Sequence, residues 1–316
     1  MTTPILTVLP CHDGDIDRAE MLLRWMKELG NVGEHSLLLA ADAGVPTERV
    51  KALLDIVRPE FHSVRAMIVK TGATGWPLAA NLMFKAVARQ IHEAYRLPWL
   101  WLESDAVPLR ASWLNELGEA YRKCPKPVMG CLLDAERPIE GLPNRYVSGI
   151  AIYPQDTFGL LATRWQDAKF AGMAKPPKLA TAQWQQNVRA FDMVFANDIV
   201  PRTHNTPLIH NHWGPTYDAP PVFVAARTEA DPPNAVTPDF VRKEAALFHR
   251  VKALDAFLPL WRLRLEHAKA LVTESLKPTG ASQYVLEKAL EAGLIEAPAT
   301  APKKKAISKQ AELATA

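Results

Sequence analysis

Short apolar runs alternate with amphipathic helical patterns in the first third of the chain, and this alternation restricts the fold more than any other feature. Four runs are predicted to be buried strands, at residues 5–9, 36–41, 64–69 and 99–102. Helical spacing of apolar residues separates them, as in the pattern from Ile16 to Leu29 that Gly30 ends. Strands separated by helices form βαβ units, so the sequence predicts an α/β fold with a mainly parallel sheet covered on both faces.

Residues that directly follow the predicted strands are the first candidates for a functional site, because ligands of such sheets bind beyond the carboxyl ends of the strands. These residues are Pro10, His12, Asp42, Lys70, Glu103, Ser104 and Asp105. Glu103 and Asp105 are the most informative, since residues i and i+2 of an extended chain point to one side. Two carboxylates there suit Mg²⁺ or Mn²⁺, which take their other ligands from phosphates and water. A solvated turn at the strand end explains the same residues without a ligand, and the pattern alone leaves both open.

The apolar strand that runs into Glu103-Ser104-Asp105 resembles the acid-x-Asp motif of glycosyltransferases with the GT-A fold. This resemblance implies a GT-A-like sheet flanked by helices and a nucleotide-sugar donor, expected to be UDP-linked, whose diphosphate is bridged by Mn²⁺ or Mg²⁺. It implies that Asp105 binds the metal and that Glu103 contacts the donor. Glu stands where the family has its first Asp, which leaves direct metal contact by Glu103 open.

Further positions match the order of functional residues in that family. The resemblance implies that Pro10, His12, Asp42, Lys70, Gly75, Trp76, Asn81, Glu103, Ser104 and Gly149 contact the donor. The segment 72–81 is similar to the Gly-rich, Asn-containing helix start of family-two glycosyltransferases, although Ala80 replaces the usual Arg. Gly149 lies in a predicted strand where a small residue would let a sugar approach the backbone, and a bulge is the alternative. For Asp42 the alternative is a simple cap at the end of a strand.

Two later residues would complete the chemistry that the resemblance implies. Asp192, in the sequence Phe191-Asp192, would act as the general base if the reaction inverts configuration, with Asp198 as the second choice. His212 would join Asp105 as a metal ligand, with His210 as the alternative histidine. An exposed helical carboxylate and a structural histidine pair are the alternative interpretations.

Charge and composition leave the acceptor open. The net charge of +3 comes from the segment 297–316, and the rest of the chain is balanced, so it lacks the basic body of a typical nucleic-acid binder. DNA containing hydroxymethylpyrimidine, polysaccharide, lipid and protein all stay open, and the lysine-containing tail favours a polyanion slightly. No apolar run is long enough for a membrane helix. Three cysteines without paired spacing and an N-terminus without a signal pattern predict a cytoplasmic location.

The chain is predicted to consist of a catalytic domain at 1–238, a helical region at 239–296 and a disordered basic tail at 297–316. Signatures of dinucleotide-binding Rossmann folds, P-loops and GxSxG hydrolases are absent from the sequence. Two other classes stay open. One is a nucleotidyltransferase, which releases pyrophosphate, and the other is a non-catalytic module of the same fold that binds nucleic acid or a partner.

Overall fold

The protein is described by a computed structural model that covers residues 2–30, 32–73, 75–109, 111–134, 144–167, 170, 188–211 and 244–249. Ten strands lie in these residues and form two sheets. They are β1 (Leu6–Cys11), β2 (Ser36–Asp42), β3 (Ser63–Val69), β4 (Trp99–Trp101), β5 (Val107–Pro108), β6 (Val128–Asp134), β7 (Arg145–Tyr153), β8 (Thr203–Asn205), β9 (Ile209–Asn211) and β10 (Leu247–His249).

Seven of these strands form a large, mainly parallel sheet in the order β3-β2-β1-β4-β7-β6-β8. Neighbouring strands are parallel throughout except at β7, which runs antiparallel to both β4 and β6. The carboxyl ends of β1 to β4 and of β6 therefore lie at one edge, together with the amino end of β7. This edge is where ligands of open α/β sheets bind.

Seven α-helices lie in the described residues. They are α1 (Ile16–Leu29), α2 (Thr47–Val57), α3 (Leu78–Ala94), α4 (Trp113–Lys123), α5 (Thr157–Leu160), α6 (Phe191–Val194) and α7 (Ala196–Ile199). Gly30 ends α1 in a conformation with φ +57°, which favours glycine. None of the helices in these parts of the chain has both the length and the apolar character needed to span a bilayer.

Two apolar layers, one on each face of the large sheet, form the core. Helices α1, α2 and α4 pack on one face and bury apolar side chains there, among them Leu22, Leu53 and Trp113. On the other face, α3 and α6 bring an aromatic group in which the rings of Phe84 and Phe191 stack with centroids 4.0 Å apart. β2 is buried along its length because both of its faces are covered, which explains its continuous apolar sequence.

The predicted fold class is confirmed. The mainly parallel sheet with helices on both faces is the α/β architecture that the GT-A resemblance implies. The four predicted strands of the first third, and the helices between them, are present with bounds shifted by at most a few residues. The sequence also predicts a helix over residues 183–197, and within the described residues this segment forms the short helices α6 and α7, which Phe195 separates.

The smaller sheet, in the order β5-β10-β9, corrects one prediction. The sequence predicts a helical pattern at 239–251, whereas Leu247–His249 form β10, which pairs antiparallel with β5 and parallel with β9. Apolar strand pairing there overrides the helical spacing, and Phe248 is fully buried. The division at residue 238 and the tail stay predictions, since residues 250–316 lie outside the described parts of the chain.

Candidate metal and donor site

Glu103, Asp105 and His249 converge at the carboxyl edge of the large sheet. One ligand atom from each lies within 4.8 Å of the other two. The Nε2 atom of His249 is 3.1 Å from Oε2 of Glu103 and 3.3 Å from Oδ1 of Asp105. Asp105 and His249 are buried, and about a third of the Glu103 side chain is exposed. Two carboxylates and one imidazole, open to solvent on the Glu103 side, suit a divalent cation that keeps free coordination positions.

Local structure explains how these three residues meet. β4 ends at Trp101, and the chain then turns through Glu103 to Asp105 before β5 begins at Val107. The indole of Trp25 donates a hydrogen bond to the carbonyl of Pro108 at 2.8 Å, which fixes β5 against α1. β10 lies between β5 and β9, and its last residue is His249, so strand pairing brings the imidazole to the two carboxylates.

The electrostatics of the cluster favour a positive charge between the carboxylates. Burial lowers the pKa of His249, but the combined effect of the Asp105 and Glu103 carboxylates is larger and raises this pKa to about 9. The amide of Asn211 lies 2.8 Å from Nδ1 of His249, so it fixes the orientation of the ring. A histidine that binds a metal donates its second ring N–H, so metal binding through Nε2 requires that the Asn211 side chain turn its oxygen toward Nδ1.

Gly149 lies beside Glu103 on the neighbouring strand β7. A Cβ atom at position 149 would be 2.6 Å from Oε1 of Glu103 and 3.9 Å from the ring of Phe191. In the structure, the carboxylate of Glu103 lies in the space beside Gly149, and glycine leaves room for this close approach. The approach of a sugar to this backbone stays a prediction.

Asp192 lies in the first turn of α6, on the same face of the sheet as Glu103. Its neighbour Phe191 contacts the space beside Gly149. Burial, and then the charges of Asp192 and Glu103, raise the pKa of Tyr153 well above its ordinary value, which places both carboxylates within electrostatic reach of that hydroxyl. Asp198, the second choice for a base, is paired with Arg164 at 2.8 Å.

Residues at the ends of β1 and β2 form local bonds. The imidazole of His12 accepts a hydrogen bond from the amide of Gly14 at 3.1 Å and pairs with Asp15 at 2.5 Å. Asp42 accepts bonds from the amide of Gly44 at 3.0 Å and from the hydroxyl of Thr71 at 3.2 Å. These contacts match the strand-end cap that the sequence analysis gives as the alternative for Asp42.

Four further predicted donor contacts lie along the same edge, on different elements. Pro10 is half-buried in β1, Lys70 is exposed directly after β3, and Ser104 is buried between the two carboxylates. Gly75 has φ +79° and open space beside its Cα atom. Their part in donor binding stays a prediction.

Trp76 and Asn81 lie near the start of α3, and they differ sharply in exposure. Trp76 is 74% exposed, whereas Asn81 is fully buried. The side-chain amide of Asn81 donates to the carbonyls of Phe170 at 2.9 Å and Arg189 at 2.8 Å. Asn81 therefore ties the backbone before α6 to α3, and its contact with the donor stays a prediction.

His249 is the residue that the sequence analysis missed. His212, the predicted metal ligand, lies outside the described residues, and its role stays a prediction. His210 is buried in β9 with its ring against Phe248. The sequence does carry a signal for His249, because the apolar pair Leu247-Phe248 followed by a histidine is typical of a strand end. The helical spacing of apolar residues over 239–251 predicts a helix there instead.

Comparisons with known proteins give similarities to glycosyltransferase structures. No protein-family model and no curated protein matches the chain significantly. The apo structure of the bifunctional glycosyltransferase WbbM is 14% identical, with TM-score 0.45, over 80% of this chain and 46% of WbbM. The galactosyltransferase LgtC, in complex with donor and acceptor sugar analogs, is 12% identical, with TM-score 0.47, over 78% of this chain and 87% of LgtC.

A third similar structure is the glycosyltransferase GlyE of Streptococcus pneumoniae TIGR4. It is 11% identical, with TM-score 0.40, over 65% of this chain and 45% of GlyE. The chain thus spans about half the length of WbbM and of GlyE.

Proposed function

We propose that the protein is a metal-dependent glycosyltransferase that moves a sugar from a nucleotide-sugar, UDP-linked, to an acceptor hydroxyl. The observation that carries this proposal is the convergence of Glu103, Asp105 and His249 within 4.8 Å at the carboxyl edge of the sheet. The acid-x-Asp motif contributes two of the three residues.

The three side chains fit a divalent cation such as Mn²⁺ or Mg²⁺. Asp105 and His249 provide buried donor atoms, and Glu103 adds a carboxylate oxygen on the more exposed side. Asn211, 2.8 Å from Nδ1, holds the imidazole of His249 in its orientation toward the two carboxylates. When bound, the cation would neutralise the charge that develops on the departing diphosphate.

The remaining chemistry falls to residues of the chain itself. In an inverting reaction, the oxygen of the acceptor hydroxyl bonds to the anomeric carbon while Asp192 accepts the proton of that hydroxyl. The bond between that carbon and the diphosphate oxygen breaks at the same time, and the nucleoside diphosphate leaves. Asp192 is half-buried, and its charge, like that of Glu103, raises the pKa of Tyr153, which supports this assignment.

Release of UDP tests the proposal. The full chain is incubated with UDP-glucose, UDP-galactose and UDP-N-acetylglucosamine, each with Mn²⁺ and each with EDTA. Metal-dependent release of UDP, lost in Asp105→Asn, supports the proposal. Release that persists at full rate in EDTA or in the variant contradicts it.

Two further readouts distinguish the alternatives. Pyrophosphate released from a nucleoside triphosphate, with no UDP released from any nucleotide-sugar, identifies a nucleotidyltransferase. Binding of Mn²⁺ and UDP without turnover on any donor identifies a non-catalytic module. For the acceptor, a duplex containing hydroxymethylcytosine is compared with an unmodified duplex, and sugar attached to the former alone identifies DNA.

A further inference from the structure

We propose that the outer edge of β3 is an interface between two copies of this chain, which pair through β3 and pack through α2 about a two-fold axis. β3 is the last strand of the large sheet, and within the described residues it pairs with β2 alone. The outward N–H and C=O groups of such an edge strand can pair with a strand of another chain. The inference concerns assembly and does not depend on the proposed glycosyl transfer.

β3 lacks the features that usually keep an edge strand from pairing. It has seven residues, Ser63–Val69, in continuous register with β2, and it contains no bulge, proline or lysine. Its one charged side chain, Arg65, lies over the ring of Tyr95 at 5.9 Å from the centroid, so cation–π attraction draws it across a face of the sheet. Ile68 is 49% exposed, although its side chain is large and apolar. This strand therefore presents an open, largely apolar edge.

A second copy of β3 matches this edge in an antiparallel arrangement centred on Ala66. All seven residues then overlap, Val64 lies opposite Ile68 of the second copy, and Arg65 lies opposite Met67 of the second copy. Apolar cross-strand pairs stabilise a sheet, and no like charges stand directly opposite each other. A register centred on Arg65 would oppose two guanidinium groups, and one centred on Met67 would shorten the overlap. This self-complementary pairing about Ala66 favours a two-fold dimer over an unrelated strand.

Helix α2 lies close enough to this edge to take part in the interface. It contacts both β2 and β3 on one face of the sheet. With strands about 4.8 Å apart, a helix above these two strands lies about 5 Å from an axis at the outer edge of β3, so the two copies of α2 would be about 10 Å apart. Packed helices in proteins are separated by about 8–10 Å. Pairing of β3 therefore brings the two copies of α2 into contact.

The flank of α2 that points toward the edge carries charges of both signs. Glu48, Lys51, Asp55 and Arg58 are exposed and follow one another at intervals of three or four residues, so they form one stripe. Arg49, on the other flank, pairs with two acidic side chains of α1. The stripe thus faces away from α1, toward the open side of the sheet.

This stripe is complementary to itself about the same axis. In an antiparallel pair of α2 helices centred on Leu53, Glu48 faces Arg58 of the second copy, and Lys51 faces Asp55 of the second copy. α2 runs from the carboxyl edge of the sheet back to the amino edge, so its midpoint lies at a height similar to that of the midpoint of β3. One two-fold axis therefore serves both the strand pairing and the ion pairs, and opposite charges across an interface fix its register.

Sedimentation velocity of the full chain, between about 1 and about 100 µM, tests the inference. We expect a dimer that dissociates on dilution. Ile68→Lys places a charge at the strand edge and removes the contact with Val64 of the second copy, so we expect the dissociation constant to rise at least about tenfold. Because position 68 is exposed in the single chain, the fold should persist, and the circular dichroism spectrum checks this.

A charge swap tests the position of α2. Lys51→Glu opposes two carboxylates across the axis and should weaken the dimer, whereas Lys51→Glu combined with Asp55→Lys restores opposite charges and should recover most of the affinity. Lys126→Glu, at an exposed position between α4 and β6, carries the same charge change and should dimerise as the wild type does. A wild type that stays monomeric at about 100 µM overturns the inference. So does a dimer that Ile68→Lys leaves unchanged or that the charge swap fails to recover.

Discussion

The carboxylate of Glu103 lies against Gly149 of β7, and the missing side chain at 149 makes room for it. A Cβ atom there would lie 2.6 Å from Oε1 of Glu103. Glu103 follows β4 by two residues, and β4 pairs with β7 with Leu100 opposite Ile152. One small residue therefore determines where a charged group of the proposed site lies.

Substituting Gly149→Ala is expected to displace Glu103 and leave the fold intact. The methyl group meets the flexible end of a side chain, so the carboxylate moves and the backbone does not need to. We expect the affinity for Mn²⁺ to fall about tenfold, measured by isothermal titration calorimetry. Gly44→Ala is the control, because its methyl group would lie 3.4 Å from Oδ1 of Asp42, an ordinary contact. Unchanged Mn²⁺ affinity in Gly149→Ala would show that the position of Glu103 does not matter for metal binding.

Removal of a proposed ligand is expected to abolish Mn²⁺ binding. Asp105→Asn and His249→Ala each delete a buried donor atom, and titration calorimetry should detect no binding in either. Asn211→Ala keeps all three donors but frees the imidazole, so we expect a loss of affinity of about 10- to 100-fold. His204→Ala, at an exposed position of β8, should bind as the wild type does. Equal binding by wild type and His249→Ala would remove His249 from the site.

The two carboxylates of this site follow from sequence because their contact is local, whereas the histidine does not. Glu103 and Asp105 are two residues apart directly after β4, and a turn in which the amide of Ala106 donates to the carbonyl of Glu103 at 3.0 Å brings them together, although the sequence prediction assumes an extended chain there. His249 is 146 residues from Glu103, and only the pairing of β10 with β5 and β9 brings it near. No local pattern encodes that pairing. The strand bounds were predictable for a similar reason, since apolar runs and helical spacing are local signals.

Asn81→Ala is expected to destabilise the fold. The substitution leaves the carbonyls of Phe170 and Arg189 without their donor, and an unsatisfied buried carbonyl costs about 1–3 kcal/mol. The free energy of unfolding, from urea titration, should fall by an amount of that order. Asn197→Ala at an exposed position should change it by less than about 0.5 kcal/mol. A loss in Asn81→Ala no larger than that of the control would contradict the anchoring role.

His35 is expected to make the protein less stable in acid. Burial lowers its pKa from the ordinary 6.5, although the bond to Asn115 acts in the opposite direction. Its Nδ1 atom accepts a hydrogen bond from the amide of Ile5 at 3.0 Å, which requires an unprotonated nitrogen. The unfolded chain takes up a proton near pH 6.5 and the folded chain only at lower pH. The contribution of His35 is therefore complete above pH 6.5 and is lost as the pH falls below it.

The difference between wild type and His35→Gln isolates this effect, because other histidines titrate in both proteins. Urea unfolding at pH 7.5, 6.5 and 5.5 should show a wild-type stability that falls more steeply toward acid than that of the variant. Parallel pH dependences would contradict the assignment. The absolute stability of the variant is not compared, since glutamine also changes the packing around position 35.

The central position of β10 in the small sheet has a consequence for biosynthesis. A nascent chain that has emerged only as far as β9 already contains every strand of the large sheet and both carboxylates, but not the imidazole. Bringing β10 to β9 across the intervening residues of the chain carries an entropy cost that grows slowly with their number. The cluster of Glu103, Asp105 and His249 can therefore assemble only after residues 244–249 have left the ribosome. By then, all strands of the large sheet have already been synthesised.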